Sequence, residues 1–168
     1  MTENVNHCGS CTLCCKVLGV TGEVRGVPLK KERAGWCEHC AIGKGCKVYT
    51  DRPTVCAEFE CLWLQGRKRG EPVPDELRPD RCGVVFAPST NSNAIGAHMD
   101  ANKSEAWKRG VALEWVRKLV AAGLYVTLDY GDYAEVKTVL RREGNKVVAL
   151  RKRFSPPDKD GMQWTLDK

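Results

Sequence analysis

The chain has 168 residues, about the length of one average domain, and a formal net charge of +6. Hydrophobic residues make up 42% of it and charged residues 29%, which is ordinary for a folded protein and excludes an intrinsically disordered one. No apolar run approaches the roughly 20 residues that cross a bilayer, and the first residues lack both the basic and the apolar part of a signal peptide. We therefore expect a cytoplasmic protein without a membrane partner.

Ten cysteines are the feature that departs from an average composition, and all of them lie in the first 82 residues. This distribution predicts a cysteine-rich metal-binding module at 1–66. A charged connector that contains Pro and Gly follows at 67–82, and then an α+β unit at 83–154. Residues 155–168 are predicted to be a loose tail.

The first group of cysteines places four thiols within eight residues, at Cys8, Cys11, Cys14 and Cys15. A disulfide between the adjacent Cys14 and Cys15 would be strained, and structural disulfides are uncommon in a reducing cytosol. The Cys-x2-Cys spacing instead lets two thiolates reach one ion from a tight turn, for which Gly9 is suited. This segment therefore predicts a metal site.

The second group repeats the same spacing. Cys37 and Cys40 form another Cys-x2-Cys pair, and Cys46 follows two glycines, Gly43 and Gly45, that let the chain double back. The repetition favours metal binding over unrelated buried thiols or disulfides.

The third group, Cys56 and Cys61, lies in a segment that predicts a short helix beginning near residue 50, with Pro53 in its first turn. Five residues along a helix correspond to about 500° of rotation, so the two thiols would diverge by roughly 140°. Either the helix ends near Phe59, or the two cysteines serve different sites.

Nine thiols are therefore the predicted metal ligands: Cys8, Cys11, Cys14, Cys15, Cys37, Cys40, Cys46, Cys56 and Cys61. His7 and His39 each adjoin a cysteine and could replace a thiolate, although the thiols already suffice. Cys82 stands apart, either as a small buried side chain or as a surplus nucleophile for which the sequence identifies no base. His98 is expected to be an ordinary, partly exposed histidine.

The cysteines form one ordered pattern along the chain: Cys8-x2-Cys11-x2-Cys14-Cys15, then Cys37, then Cys46-x2-Tyr49-x2-Arg52-Pro53-x2-Cys56 and Cys61. This pattern resembles the CxxCxxCC zinc- or iron-chelating domain family (YkgJ-like cysteine-cluster proteins) over about residues 8–63. The resemblance implies a small intracellular metal-binding module with eight motif cysteines: Cys8, Cys11, Cys14, Cys15, Cys37, Cys46, Cys56 and Cys61. Cys40, Cys82 and the C-terminal half are additions to the family pattern.

Two kinds of metal centre are open. Eight thiolates would fill two zinc sites of four thiolates each, with Zn–S bonds of about 2.3 Å. Alternatively, Cys8, Cys11 and Cys14 have the spacing of a bacterial ferredoxin, which holds an iron–sulfur cluster, although the fourth ligand is not at the usual offset. We favour zinc. Cations beside the ligand positions would offset the thiolate charge: Lys16, Lys44, Lys47 and Arg52.

The C-terminal half alternates strands with one helix. Strands at 83–87 and 94–98 precede a helix at 103–122, whose apolar residues step by four along one face: Trp107, Val111, Trp115 and Leu119. A strand at 124–128 and a hairpin of 134–141 and 146–153 follow. The ββαβββ order predicts an α+β fold in which an antiparallel sheet is covered by one long helix, beside the metal-organised module.

The predicted function is metal binding without catalysis, in a chelating or chaperone-like role. One alternative is an iron–sulfur protein in electron transfer or redox enzymology. Another is a zinc-ribbon-like nucleic-acid binder that uses basic residues of the hairpin: Arg141, Arg142, Lys146, Arg151, Lys152 and Arg153. No phosphate-loop, zincin or serine-hydrolase motif occurs.

Overall fold

The structure is a computed structural model that describes residues 8–89, 93–130, 136–144, 146–154 and 164–166. The fold is α+β, as predicted. The α-helices of the described residues are α1 (Cys14–Val17), α2 (Thr54–Glu58), α3 (Leu62–Arg69), α4 (Pro79–Cys82) and α5 (Gly110–Ala121). The strands are β1 (Val20–Val24), β2 (Val27–Lys31), β3 (Cys40–Ala41), β4 (Gly45–Cys46), β5 (Val84–Pro88), β6 (Ala94–Met99), β7 (Tyr125–Tyr130), β8 (Val136–Glu143), β9 (Lys146–Phe154) and β10 (Trp164–Leu166).

The cysteine-rich half is built from short elements joined by tight turns. Strands β1 and β2 form a hairpin whose two loop residues, Arg25 and Gly26, both have positive φ (51° and 78°). Two consecutive positive φ angles define the type I′ turn that matches the twist of a hairpin. Strands β3 and β4 form a second, two-residue ladder in which Cys40 lies opposite Cys46.

The main sheet has six strands in the order β10-β9-β8-β7-β6-β5. Its pairs are antiparallel except for β6 and β7, which are parallel. The prediction of an antiparallel sheet is therefore wrong at this pair. The reason is that α5 connects β6 to β7 and returns the chain to the end from which β6 began, so that both strands run in one direction.

Helix α5 is shorter than predicted. The expected helix at 103–122 is replaced by two 3-10 turns, Ala101–Lys103 and Ala106–Lys108, and then by α5 from Gly110. Arg109 is extended (φ −129°, ψ 146°) and Gly110 has a positive φ of 48°, so a continuous helix cannot pass through them. The predicted end at Gly123 is close to the observed one. None of the described helices combines the length and the apolar character that a membrane crossing requires.

One hydrophobic core joins the two halves. Residues of α5 and of four strands form it: Ala112, Val116, Val120, Val84, Phe86, Ile95, Ala97, Met99, Val126, Leu128 and Leu140. Trp63 and Leu64 of α3 and Leu77 belong to the same cluster, so the cysteine-rich half and the sheet are packed together. The predicted core stripe is less buried, since Trp107 and Trp115 are only partly buried against this cluster.

The opposite face of the sheet meets the cysteine-rich half. In the strand register, His98 lies beside Val85 on one side and beside Asp129 on the other. Neighbouring residues in register lie on the same face of a sheet. Arg33, which follows β2, forms an ion pair with Asp129, and both side chains are largely buried (13% and 7% exposed). This pair anchors the cysteine-rich half to the sheet.

Candidate metal centre

Eight of the ten cysteines line one cavity of about 590 Å³: Cys8, Cys11, Cys14, Cys15, Cys37, Cys46, Cys56 and Cys61. They are the same eight positions that the family resemblance identifies as its motif cysteines. Cys40 and Cys82 do not line the cavity. The structure thus gathers thiols from several separate segments of the chain around one space.

The first four cysteines are brought to the cavity by a turn and a short helix. The N–H of Cys11 donates to the carbonyl of Cys8 at 3.1 Å, across a turn in which Gly9 has a φ of 56°. Cys14 and Cys15 then begin α1. Both of these adjacent residues line the same cavity, and each thiol acts on the pKa of the other.

The second group is attached to the first through the backbone. The N–H of Cys37 donates to the carbonyl of Cys15 at 3.0 Å, and the N–H of Cys40 donates to the carbonyl of Cys37 at 2.9 Å. Cys40 is buried, and Cys15 and Thr12 are among the neighbours that act on the pKa of its thiol. Cys40 therefore lies near the cavity without lining it.

Cys56 and Cys61 resolve the alternative that the sequence left open. Helix α2 ends at Glu58, and Phe59 is extended. Cys61 is the N-cap residue of the next helix, α3. Because the chain changes direction between the two helices, both thiols line the same cavity. The helix begins at Thr54, later than predicted, with Pro53 before its first residue.

Burial dominates the electrostatics of most of these thiols. It raises the pKa of Cys8, Cys11 and Cys46, and it raises the pKa of Cys56 and Cys61 to about 11. A thiol of this kind is neutral at pH 7. Because a coordinated thiol is deprotonated, binding of a cation here would release protons and would weaken as the pH falls.

Cys15 behaves differently from its neighbours. The interaction with the Cys14 thiol is the largest effect, and it lowers the pKa of Cys15 to about 6. Burial acts in the opposite direction, whereas Cys40 and the charge of Lys31 also lower this pKa. The same interaction, together with burial, raises the pKa of Cys14. Within the vicinal pair, the thiolate is therefore favoured on Cys15 and the proton on Cys14.

Lys31 is a buried cation at the cavity wall, with 8% of its surface exposed. Its Nζ donates to the carbonyl of Lys16 at 3.0 Å and to the carbonyls of Leu18 and Glu32. Burial lowers the pKa of Lys31, whereas the nearby thiols, with Cys37 first, would raise it as thiolates. The charge of Lys31 thus acts on the thiols of the second group and of α1.

Arg52 is the second cation of the cavity wall. Its guanidinium stacks on the ring of Tyr49 at 3.7 Å from the ring centroid and donates to the Tyr49 carbonyl at 3.2 Å. Its Nε is buried without a hydrogen-bond partner among the described residues. The charge of Arg52 opposes the effect of burial on the pKa of Cys8, Cys46 and Cys56, so it lies close to these thiols.

The thiols share a cavity but do not converge on one point. Within the described ranges, no three or more Cys, His, Asp or Glu side chains form a group that could hold a metal ion. The donor set nevertheless fits a metal, because it consists of soft sulfur ligands beside the buried Lys31 and the partly buried Arg52. Coordination of one ion by several of these thiols would require their side chains to rotate toward a common centre.

The remaining ligand candidates have different surroundings. His39 lines the cavity, with Nε2 at 3.8 Å from Oε1 of Glu38. His7 lies outside the described residues. The Cys82 thiol lies 3.3 Å from the carbonyl oxygens of both Leu77 and Val84 and packs against the core. Burial raises the pKa of Cys82 to about 11, so its surroundings favour the structural interpretation over a nucleophile.

The sequence did not identify the polar cluster beside the cavity. His98, expected to be ordinary, has Nδ1 at 3.1 Å from Oδ2 of Asp129 and is 16% exposed. Arg33 lines the cavity and pairs with the same carboxylate. The one signal in the sequence was a carboxylate, Asp129, that directly continues an apolar strand, because a charge at a buried strand position requires a partner.

The basic hairpin is partly neutralised by its own residues. Arg141 pairs with Glu143, and Arg142 donates from Nε to the carbonyl of Gly144 at 2.7 Å. The side chains of 151–153 lie outside the part that the structure describes. Nothing in the described part of the hairpin specifically favours a nucleic-acid ligand.

Comparison of the chain with known proteins identifies no similar protein. No family model matches the chain, no curated protein matches it, and no solved structure matches it. The resemblance to the CxxCxxCC family therefore stays a prediction that depends on the cysteine pattern.

Proposed function

We propose that this chain is a metal-binding protein whose eight cavity cysteines hold zinc, in a chelating or chaperone-like role without catalysis. The observation that carries the proposal is the position of these thiols around one cavity of about 590 Å³. Chance burial of cysteines would distribute them through the core, as it does for Cys82. The prediction that Cys40 is a ninth ligand is not part of this proposal.

Charge balance supports a set of thiolates in this cavity. Lys31 and Arg52 are cations whose hydrogen-bond partners, in the part of the chain that the structure describes, are neutral carbonyl groups. A buried cation is stabilised by a compensating negative charge. Four thiolates around one Zn²⁺ have a formal charge of about −2, which would supply that charge and give the Arg52 Nε a sulfur acceptor.

An iron–sulfur centre is the second candidate, and one observation favours it. All eight thiols open into the same cavity, whereas two structural zinc sites would each be closed by four ligands. A shared space suits a polynuclear centre. Such a centre would place the chain in electron transfer or redox chemistry.

Elemental analysis of the native chain tests both candidates. The protein is isolated anaerobically without chelators, and we expect up to about two zinc ions per chain and no visible absorbance. A broad absorbance near about 400 nm with bound iron would favour the iron–sulfur centre instead.

A pair of cysteine variants provides the control. Cys56→Ser, at the cavity, is expected to lose at least half of the bound metal, about one site of two. Cys82→Ser, outside the cavity, is expected to keep all of it. A native chain without stoichiometric metal, or equal metal in both variants, would reject the proposal.

A further inference from the structure

The thiol cavity is larger than bound ions require. Its volume is about 590 Å³. A cavity needs only about 10–15 Å³ to hold a water molecule, and a zinc ion is smaller than that molecule. Pockets for small organic molecules measure about 300–1,000 Å³. The cavity therefore has the size of a site for such a molecule.

Much of the cavity wall consists of side chains that cannot bind a metal. Large apolar and aromatic residues line it besides the thiols: Leu18, Leu29, Val48, Phe59, Trp63 and Leu64. Val55 also belongs to the wall and is 49% exposed, so the cavity reaches solvent on its side. Contact with apolar surface is favourable for a ligand that is itself apolar. This part of the wall fits the body of an organic molecule.

The charged residues of the wall differ in their partners. Three cations form ion pairs with carboxylates: Lys30 with Glu32, Lys68 with Glu60, and Arg33 with Asp129. Within the described ranges, the hydrogen bonds of Lys31 and Arg52 go to carbonyl groups instead. Lys31 is 8% exposed, and a buried cation is stabilised by a compensating negative charge.

Arg52 has donors to spare for an anion. A guanidinium carries five N–H groups in a planar fork that matches a carboxylate or a phosphate. Among the described residues, the side chain of Arg52 makes one hydrogen bond, to the Tyr49 carbonyl at 3.2 Å. Its stacking on the Tyr49 ring, at 3.7 Å from the centroid, fixes the plane of the guanidinium at the wall.

We propose that the cavity is also a binding site for a small organic anion, a carboxylate or phosphate group on an apolar body. The anionic group pairs with Arg52 and Lys31, and the apolar body lies against the aromatic and aliphatic part of the wall. Binding of the anion does not depend on a metal.

The anion and the metal exclude each other, and this consequence rests on the proposed function. Thiolates around a metal and an organic anion would neutralise the same two cations, Lys31 and Arg52. By thermodynamic reciprocity, the anion weakens metal binding by the same factor by which the metal weakens binding of the anion.

Calorimetric titration of the full chain with octanoate, octyl phosphate and 1-octanol tests the site. The three probes share one apolar chain, and only the first two are charged. We expect at least one of the anions to bind about tenfold more tightly than the alcohol, since hydrogen bonds to charged groups are the strong ones. The titration is made on the chain with its bound metal and again after removal of metal under reducing conditions. Release of zinc to an indicator dye is followed in parallel, and it should rise with the concentration of the anion that binds.

Two arginine variants provide the matched comparison. Arg52→Gln is expected to lose most of the preference for the anion and to bind 1-octanol as the native chain does. Arg25→Gln should keep the preference, because Arg25 lies outside the cavity wall with 71% of its side chain exposed. If Arg52→Gln does not fold by circular dichroism, Arg52→Lys replaces it, which keeps the charge, loses the planar fork and should weaken binding of the anion several-fold.

The outcomes separate this site from the metal centre. Equal binding of anion and alcohol, no binding of any probe, or a preference that Arg52→Gln retains would overturn the anion site and leave the proposed function intact. Zinc release that does not respond to an anion that binds would overturn the exclusion. A native chain that holds no metal and yet binds octanoate through Arg52 would reject the proposed function alone.

Discussion

Removal of the bound metal by a strong chelator, under reducing conditions, is expected to lower the free energy of unfolding by about 4 kcal/mol. An ion present at about 1,000 times its Kd stabilises the folded state by that amount. In a chain of this size the loss corresponds to a fall in Tm of roughly 8–16 °C. The physical reason is that the cavity joins several short elements, which the bound ion would hold together. Thermal unfolding followed by circular dichroism measures the shift.

The control for this experiment is the response of two variants to the same chelator. Cys82→Ser should show the full fall in Tm, because its thiol lies outside the cavity. Cys56→Ser should show a smaller fall, since it starts with less bound metal. A native chain whose Tm does not change with chelator would contradict a structural role for metal.

The substitution Asp129→Asn is expected to destabilise the chain by about 3 kcal/mol, because it leaves the guanidinium of Arg33 buried beside a neutral amide. Asp51→Asn is the matched control, since Asp51 pairs with Arg25 at 2.8 Å but both side chains are exposed. An exposed pair contributes at most about 1 kcal/mol. Urea unfolding at neutral pH measures both values. Equal losses of unfolding free energy in the two variants would show that the buried pair contributes no more to stability than the exposed pair.

The same carboxylate predicts a pH dependence. Burial would raise the pKa of Asp129, but the hydrogen bond from His98 and the charges of His98 and Arg33 outweigh it and lower the pKa from 3.8 to about 2. The stabilisation is therefore complete above about pH 4 and is lost as the pH falls toward 2. The free energy of unfolding of the native chain should therefore fall more steeply between about pH 4 and pH 2 than that of Asp129→Asn. Parallel curves would contradict the contribution of this group.

Local patterns in the sequence were sufficient to predict the strands from β5 to β9 and the grouping of the cysteines, but not the four short strands of the cysteine-rich half or β10. Short apolar runs located β5, β6 and β7 to within two residues, because a strand that is covered on both faces, as β5 and β6 are, is apolar at successive positions. The Cys-x2-Cys spacing located Cys8, Cys11 and Cys14 at the cavity, because a turn of that length presents two sulfurs together, but of the pair Cys37 and Cys40 only Cys37 lines the cavity. Both signals lie within a few residues of the chain.

Features that depend on distant contacts were not predictable in this way. The parallel pairing of β6 with β7 follows from the path of the chain through α5, and it is this pairing that puts His98 beside Asp129. Lys31 is buried with its ammonium on the carbonyl groups of Lys16, in α1, and of Leu18, directly after α1, which no spacing in β2 reveals. The start of α5 depended on the backbone angles of Arg109 and Gly110, which oppose the continuous apolar period.

X-ray absorption spectroscopy at the edge of the bound metal tests most directly whether these thiols hold it. The account predicts a first shell made of sulfur, at about 2.3 Å if the metal is zinc. The Cys56→Ser variant should show a lighter scatterer in that shell or a lower metal content. A first shell of only nitrogen and oxygen at about 2.0–2.1 Å, or a native chain that carries no metal, would contradict it.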